Sequence, residues 1–245
     1  MRKTILYILV GIVIIGGLFG FLSAKEESPD KKEAVCHELV ISIVNKNKVN
    51  FLDENNIITM LKNADLYPVN RPLHTVNTYN IEQKLSSNGL ILKVKAYKTP
   101  SGNVKIEITQ KIPILRVFNA KESFYVDESG SIMPADYLHA SYLPVASGAI
   151  ERKLATTDLY KFALYLQKHD FWNHLIEQIY VHPDNEAELI PRVGDYRIIL
   201  GSFDDFTEKM NNLQLFYEQA IPKLGWDKYK TINLKYKNQI VCTKK

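Results

Sequence analysis

The side chains able to do chemistry are few and scattered. Six histidines stand at His37, His74, His139, His169, His174 and His182, with no HExxH or other short metal-binding spacing. His169 and His174 are five apart, which does not bring them to one helical face. Cys36 and Cys242 have neither CxxC nor metal-ligand spacing. Cys36 beside His37 makes no catalytic pair, because neighbours on a strand point to opposite faces. There is no GxSxG elbow. Asp127, Glu128, Asp204 and Asp205 fall in turns or at a helix start, where capping accounts for them. The sequence therefore predicts no catalytic residue, no cofactor, no metal ligand and no enzyme.

What remains is binding. The 245 residues carry 46% hydrophobic content and a formal charge of +4, enough to bury one or two cores. Removing Arg2 and Lys3 leaves 4 − 2 = +2 with both signs interspersed, which points to no nucleic-acid partner. From Ile5 to Leu22 the chain reads ILYILVGIVIIGGLFGFL, about 18 uncharged residues, the length that crosses a bilayer. Arg2 and Lys3 before it place the N-terminus in the cytoplasm and everything after Lys25 outside. A cleaved signal peptide ending at Ala24 is the rival, disfavoured because the apolar run exceeds the ~7 to 15 residues of an h-region. Outside, an oxidising compartment permits a Cys36–Cys242 disulfide, and two unpaired thiols fit the sequence equally.

The elements that would position a binding surface follow. Residues 25–35 are charged, contain Pro29 and read as a tether. His37 to Val44 is β-branched and reads as a strand. A helix follows, with Asp53 as N-cap, Leu52 stapled onto Ile57, and Ile57, Met60, Leu61 and Ala64 as its stripe. TYNIEQKLSSNG is a second helix with Ile81 and Leu85 buried and Gly89 as its stop. Leu90, Leu92, Val94 and Ala96, then Val104, Ile106 and Ile108 across TPSGN, give a hairpin with one buried face. This strand, helix, helix, strand, strand order resembles a POTRA domain.

Past Pro113, which is expected to end the last of these strands, the texture is mostly β. ILRVF, FYVD, SIMP and LPVAS are short runs, with DESG turning a hairpin and LPV expected to start an edge. A helix with Thr157 as N-cap buries Leu159, Phe162, Ala163 and Leu166. IEQIYVH, AELIPRV and YRIILG form a meander turning at Gly194 and Asp195. A last helix is expected to start at Ser202 and carry Phe206, Met210, Leu213 and Tyr217. YKTINLKYKNQIVC closes the chain as two strands.

A single anchor, a POTRA-like unit, then ITQKIPILRV, FYVDESGSIMP, LPVASG and YKTINLKYKNQIVCTKK in that order resembles the cell-division protein family FtsQ, also called DivIB. Lys111 stands where that family often has arginine. The fold class expected is α+β: a single N-terminal transmembrane helix, a POTRA-like βααββ domain, then a mostly antiparallel β domain with two helices. The boundaries are 1–4 cytoplasmic, 5–24 anchor, 25–35 tether, 36–111 POTRA-like and 112–245 β domain. The resemblance implies a non-enzymatic divisome scaffold in the cytoplasmic membrane at the septum. It would join upstream, FtsK-like factors to FtsB- and FtsL-like partners and so to septal peptidoglycan synthesis, with the lipid bilayer as its only non-protein partner. Partners would be bound by β-strand addition at a C-terminal edge strand. Tyr229, Ile232, Leu234 and Tyr236 are the expected contacts, although the same alternation fits ordinary core. The alternative is a POTRA-type chaperone or receptor in secretion or outer-membrane assembly, which would call for repeated POTRA units or a barrel, and neither pattern occurs.

Overall fold

The computed structural model describes residues 34–135, 143–225 and 228–245. The expected membrane span and nearly all of the expected tether lie outside these residues, as does His139. Among the described residues no helix is long and apolar enough to cross a membrane.

The first unit starts from capping chemistry. Strand β1 (Leu39–Ile43) leads to helix α1 (Glu54–Asn63). The Asp53 carboxylate accepts from Asn56 N, and Asn56 Oδ1 accepts from Asp53 N, each at 2.8 Å, so two orphan amides of the first turn are satisfied. Helix α2 (Thr78–Ser86) is capped likewise, with Asn77 Oδ1 accepting from Asn80 N at 3.1 Å. Ile57, Leu61, Ile81 and Leu85 turn inward onto β2 (Ile91–Lys98) and β3 (Val104–Gln110). β3 lies in the middle, parallel to β1 and antiparallel to β2.

Two expectations fail here. Leu92 is 53% exposed, because the register slips between Ile91 and Lys93 and the bulge turns it out of the core. Gly89 is not the helix stop, since Ser87 is the C-cap. Its hydrogen is needed instead for packing, as a Cβ there would lie 2.8 Å from Cδ of Pro134.

The second unit is one mixed nine-stranded sheet. In chain order its strands are β4 (Pro113–Phe118), β5 (Ser123–Asp127), β6 (Ile132–Pro134), β7 (Val145–Gly148), β8 (Ile176–Val181), β9 (Ala187–Pro191), β10 (Arg197–Gly201), β11 (Tyr229–Asn233) and β12 (Val241–Lys244). In space they run β12-β11-β10-β9-β8-β7-β4-β5-β6. The pairs β4·β7, β7·β8 and β10·β11 are parallel, more than a mostly antiparallel domain implies. β7 is interior, so the residues LPV do not start an edge. Pro113 is the first residue of β4 and does not end β3, which stops at Gln110. A missing N–H costs least at that first position.

Among the described residues five helices, not two, accompany this sheet: α3 (Arg152–Thr156), α4 (Asp158–Lys168), α5 (Asp170–Leu175), α6 (Phe206–Gln219) and α7 (Ile221–Leu224). Thr157 takes the expected N-cap position of α4, but its hydroxyl makes no capping bond and donates back to Lys153 O at 2.8 Å. Ser202 does not start α6. Gly201 at φ +73° turns the chain after β10, and the helix opens only after Asp205, itself left-handed at φ 51°.

Leu159, Phe162, Ala163, Leu166, Trp172, Met210 and Leu213 pack against Val117, Phe124, Ala146, Ile179, Leu189, Ile198 and Ile232. Tyr125 and Met133 join the core of the first unit instead, so the two units share buried apolar surface. The joint between them is short. Lys111 N donates to Leu90 O, Glu128 N donates to Ile112 O, each at 2.9 Å, and the Lys111 ammonium lies 3.6 Å from the buried carboxylate of Asp127. Asp127 turns the DESG hairpin with its other oxygen, which accepts from Ser129 N and Ser131 N at 2.8 and 2.9 Å.

Candidate partner-binding edge

The chemistry-bearing residues do not converge. Among the described residues no three His, Cys, Asp or Glu side chains are placed to hold a metal. His169 and His174 each use Nδ1 on the carbonyl four residues earlier, at 2.7 Å, and His182 Nε2 lies 3.2 Å from Glu188 Oε1. Cys36 and Cys242 are both free thiols. Cys36 is buried in the first unit's core, whereas Cys242 packs against that of the second. Partial burial pushes the Cys242 thiol above its usual range.

The sheet has a C-terminal edge, but it is not the strand the sequence suggested. β11 is paired on both sides. It runs parallel to β10, with Arg197, Ile198 and Ile199 opposite Thr231, Ile232 and Asn233, and antiparallel to β12. Ile232 and Leu234 are only 1% and 4% exposed and belong to the core. Tyr229 is half-buried, its ring 6.0 Å from that of Phe216. Tyr236 alone of the four is open, at 55% exposure.

At this end of the sheet the strand without a second neighbour among the described residues is β12. Lys245 N donates inward to Lys228 O at 3.2 Å, and the period of two then turns the amides of Cys242 and Lys244 outward. Val241 is exposed at its start. Sequence inspection passed over Val241 and Lys244. Their signal is the short alternating strand IVCTK, which comes last in its sheet.

The turn from β11 to β12 is braced. Lys235 N donates to Asn233 Oδ1 at 2.9 Å, and the Lys235 ammonium reaches both oxygens of Glu186 on the β8–β9 turn, at 2.6 and 2.7 Å. That contact holds the Lys235 pKa above its ordinary value. Between this turn and the start of α6 lies a groove of about 230 Å³ lined by Asp204, Asp205, Glu208, Lys209 and Tyr236. Lys209 Nζ donates to Ser202 O at 2.7 Å, and burial lowers its pKa. The arrangement offers backbone hydrogen bonds, exposed side chains and charge, which is the equipment for gripping an extended chain.

A βααββ unit followed by a mixed nine-stranded sheet defines the class, an α+β protein of two units. A POTRA-like domain model matches residues 34–109, and the model described as FtsQ/DivIB, C-terminal related, matches residues 112–243. The chain belongs to that FtsQ/DivIB family of cell-division proteins. No curated protein matches it. Among solved structures it is similar to the major extracytoplasmic domain of the trans isomer of the bacterial cell division protein DivIB from Geobacillus stearothermophilus. The identity is 13%, over 46% of this chain and 96% of that one, with a TM-score of 0.34.

Proposed function

We propose that this chain is a non-enzymatic scaffold of the division machinery, anchored in the cytoplasmic membrane by residues 5–24 with its bulk outside, at the septum. The unit 36–111 receives upstream, FtsK-like factors. The unit 112–245 joins FtsB- and FtsL-like proteins and so reaches septal peptidoglycan synthesis. Contact is by strand addition: a partner segment pairs with the outer side of β12, with Val241 and Tyr236 beside it, while Ile232 and Leu234 support the strand from the core. The observation that supports this best is that, among the described residues, β12 ends the nine-stranded sheet with β11 as its only neighbour. An unpaired strand is a template for another chain.

Capture of the FtsB- and FtsL-like proteins by the full chain tests this. Lys244→Pro removes an outward amide and leaves the inward ladder, so it is expected to weaken capture at least about tenfold. Lys244→Gln keeps that amide and serves as the control for charge. Capture by folded Lys244→Pro at the level of Lys244→Gln would remove β12 from the function.

A further inference from the structure

We propose that Arg116 receives a carboxylate side chain of a protein partner that lies across the sheet face turned away from the helices. The site is separate from β12, since five strands stand between β12 and β4.

The period of two sets the place. Val117 and Phe124 turn into the core beneath the helices. Arg116 and Phe118 on β4, with Tyr125 and Ser123 opposite them on β5, therefore share the other face. The Arg116 guanidinium lies 4.3 Å from the centre of the Phe118 ring and 5.4 Å from that of Tyr125. Stacked rings occupy the faces of the guanidinium plane and leave its N–H groups at the edge, where a carboxylate takes two at once. Nothing among the described residues takes them. Arg116 Nε is buried without an acceptor, as is the Ser123 hydroxyl in the same square of side chains, and the terminal nitrogens have no acceptor there either.

The other described arginines are placed differently. Arg71 pairs with Asp65, Arg152 with Glu122 and Arg197 with Glu188, while Arg192 is exposed after β9. Arg116 is half-buried and has no carboxylate within ion-pair distance among the described residues. A cation drawn out of water is unfavourable until it is paired. Its neighbours across the face are Tyr125 on β5, Val145 on β7 and then Gln178 on β8, none of them charged at neutral pH. One positive charge with no lysine in its row matches the single charge of a carboxylate better than the double charge of a phosphate.

The shape of the face selects a protein. Phe118, Ser147 and Tyr180 lie in register across β4, β7 and β8, with Phe118 and Tyr180 36% and 37% exposed. Two part-exposed rings about 10 Å apart on a sheet suit a segment laid across it, whereas small ligands go to concave sites. Arginine and aromatic side chains are the usual anchors of protein interfaces. The segment that fits carries an acidic residue between apolar ones.

The test measures binding of two labelled, end-capped peptides to the full chain, Leu-Leu-Glu-Leu-Leu and Leu-Leu-Gln-Leu-Leu, with benzoate and inorganic phosphate as small-anion arms. The Arg116 Nε–H resonance is followed by NMR in each titration. The glutamate peptide is expected to bind about tenfold more tightly than the glutamine one and to shift that resonance. Benzoate is expected to bind at least about tenfold more weakly than the glutamate peptide, and phosphate more weakly still. Arg116→Lys keeps the charge and loses the fork, so the folded variant is expected to bind the two peptides nearly alike. Equal binding of the peptides by wild type, or a glutamate preference kept by folded Arg116→Lys, would overturn the site. Tighter binding of phosphate would overturn the carboxylate, and benzoate matching the glutamate peptide would overturn the protein source. The wild-type comparison needs no variant and decides even if Arg116→Lys does not fold.

Discussion

Gly148→Ala is expected to destabilise the second unit strongly. Gly148 closes β7 at φ +106°, where it faces Val181 of the parallel strand β8, and an added Cβ would lie 2.1 Å from Val181 O. Both causes of cost act together, a backbone conformation that alanine rarely adopts and a collision with main chain rather than with a side chain that can swing away. Val181 cannot retreat, because it is buried and its carbonyl already accepts from Ala149 N at 2.9 Å. The loss should exceed about 3 kcal/mol, a large part of the ~5 to 15 kcal/mol that holds a domain. Urea unfolding followed by circular dichroism reads it. A midpoint close to wild type would mean that β7 and β8 do not approach as described.

Gln110→Leu should cost nearly as much, for a different reason. The side chain is completely buried at the end of β3. Its Oε1 accepts from Phe51 N and Leu52 N at 3.0 and 2.9 Å, and its Nε2 donates to Val49 O at 2.9 Å. Its backbone is gripped by Asn45 from both sides, Gln110 N donating to Oδ1 at 2.9 Å and Nδ2 donating to Gln110 O at 2.8 Å. Leucine fills the same space and strands two amides and a carbonyl, each worth roughly 1 to 3 kcal/mol when buried. The expected loss is about 3 to 5 kcal/mol. Amide exchange at Phe51 and Leu52 should accelerate beyond that of the α1 core, because both amides lose their buried acceptor. Unchanged exchange there would show that the loop is held elsewhere.

The first unit was largely legible because its signals are local. Asp53 and Asn77 are capping residues followed by apolar residues at helical spacing, and Val104, Ile106 and Ile108 alternate without interruption. Gln110 extends that alternation as a polar residue at an inward position. The pattern displays it, but nothing in the sequence announces that residues 49–52 fold over it. Leu92 was misplaced because a bulge adds one residue and reverses every inference from period two.

The second unit was legible as elements and not as an arrangement. Its strands fall near where β-rich runs predicted them, yet order in a sheet depends on which crossovers are parallel, and that is a property of the whole fold. β11 looked like an edge because it is nearly the last strand. It is interior because the chain passes through α6 and returns parallel to β10, leaving β12 outside. Ile232 and Leu234 alternate as contact residues would, and core residues alternate in the same way. The helix expected at Ser202 was misplaced and the Thr157 hydroxyl does not cap the helix it precedes, for a similar reason, since serine and threonine hydroxyls serve turns and preceding carbonyls as readily as caps.

Amide exchange of β12 in the full chain, alone and with an FtsB-like protein added to saturation, is the most direct measurement of the proposed strand addition. Strand addition predicts that the outward amides of Cys242 and Lys244 exchange freely in the isolated protein and become strongly protected in the complex, while the inward amide of Lys245 changes little. Saturated binding with Cys242 and Lys244 still exchanging at their free rates would contradict it and place the partner on another surface.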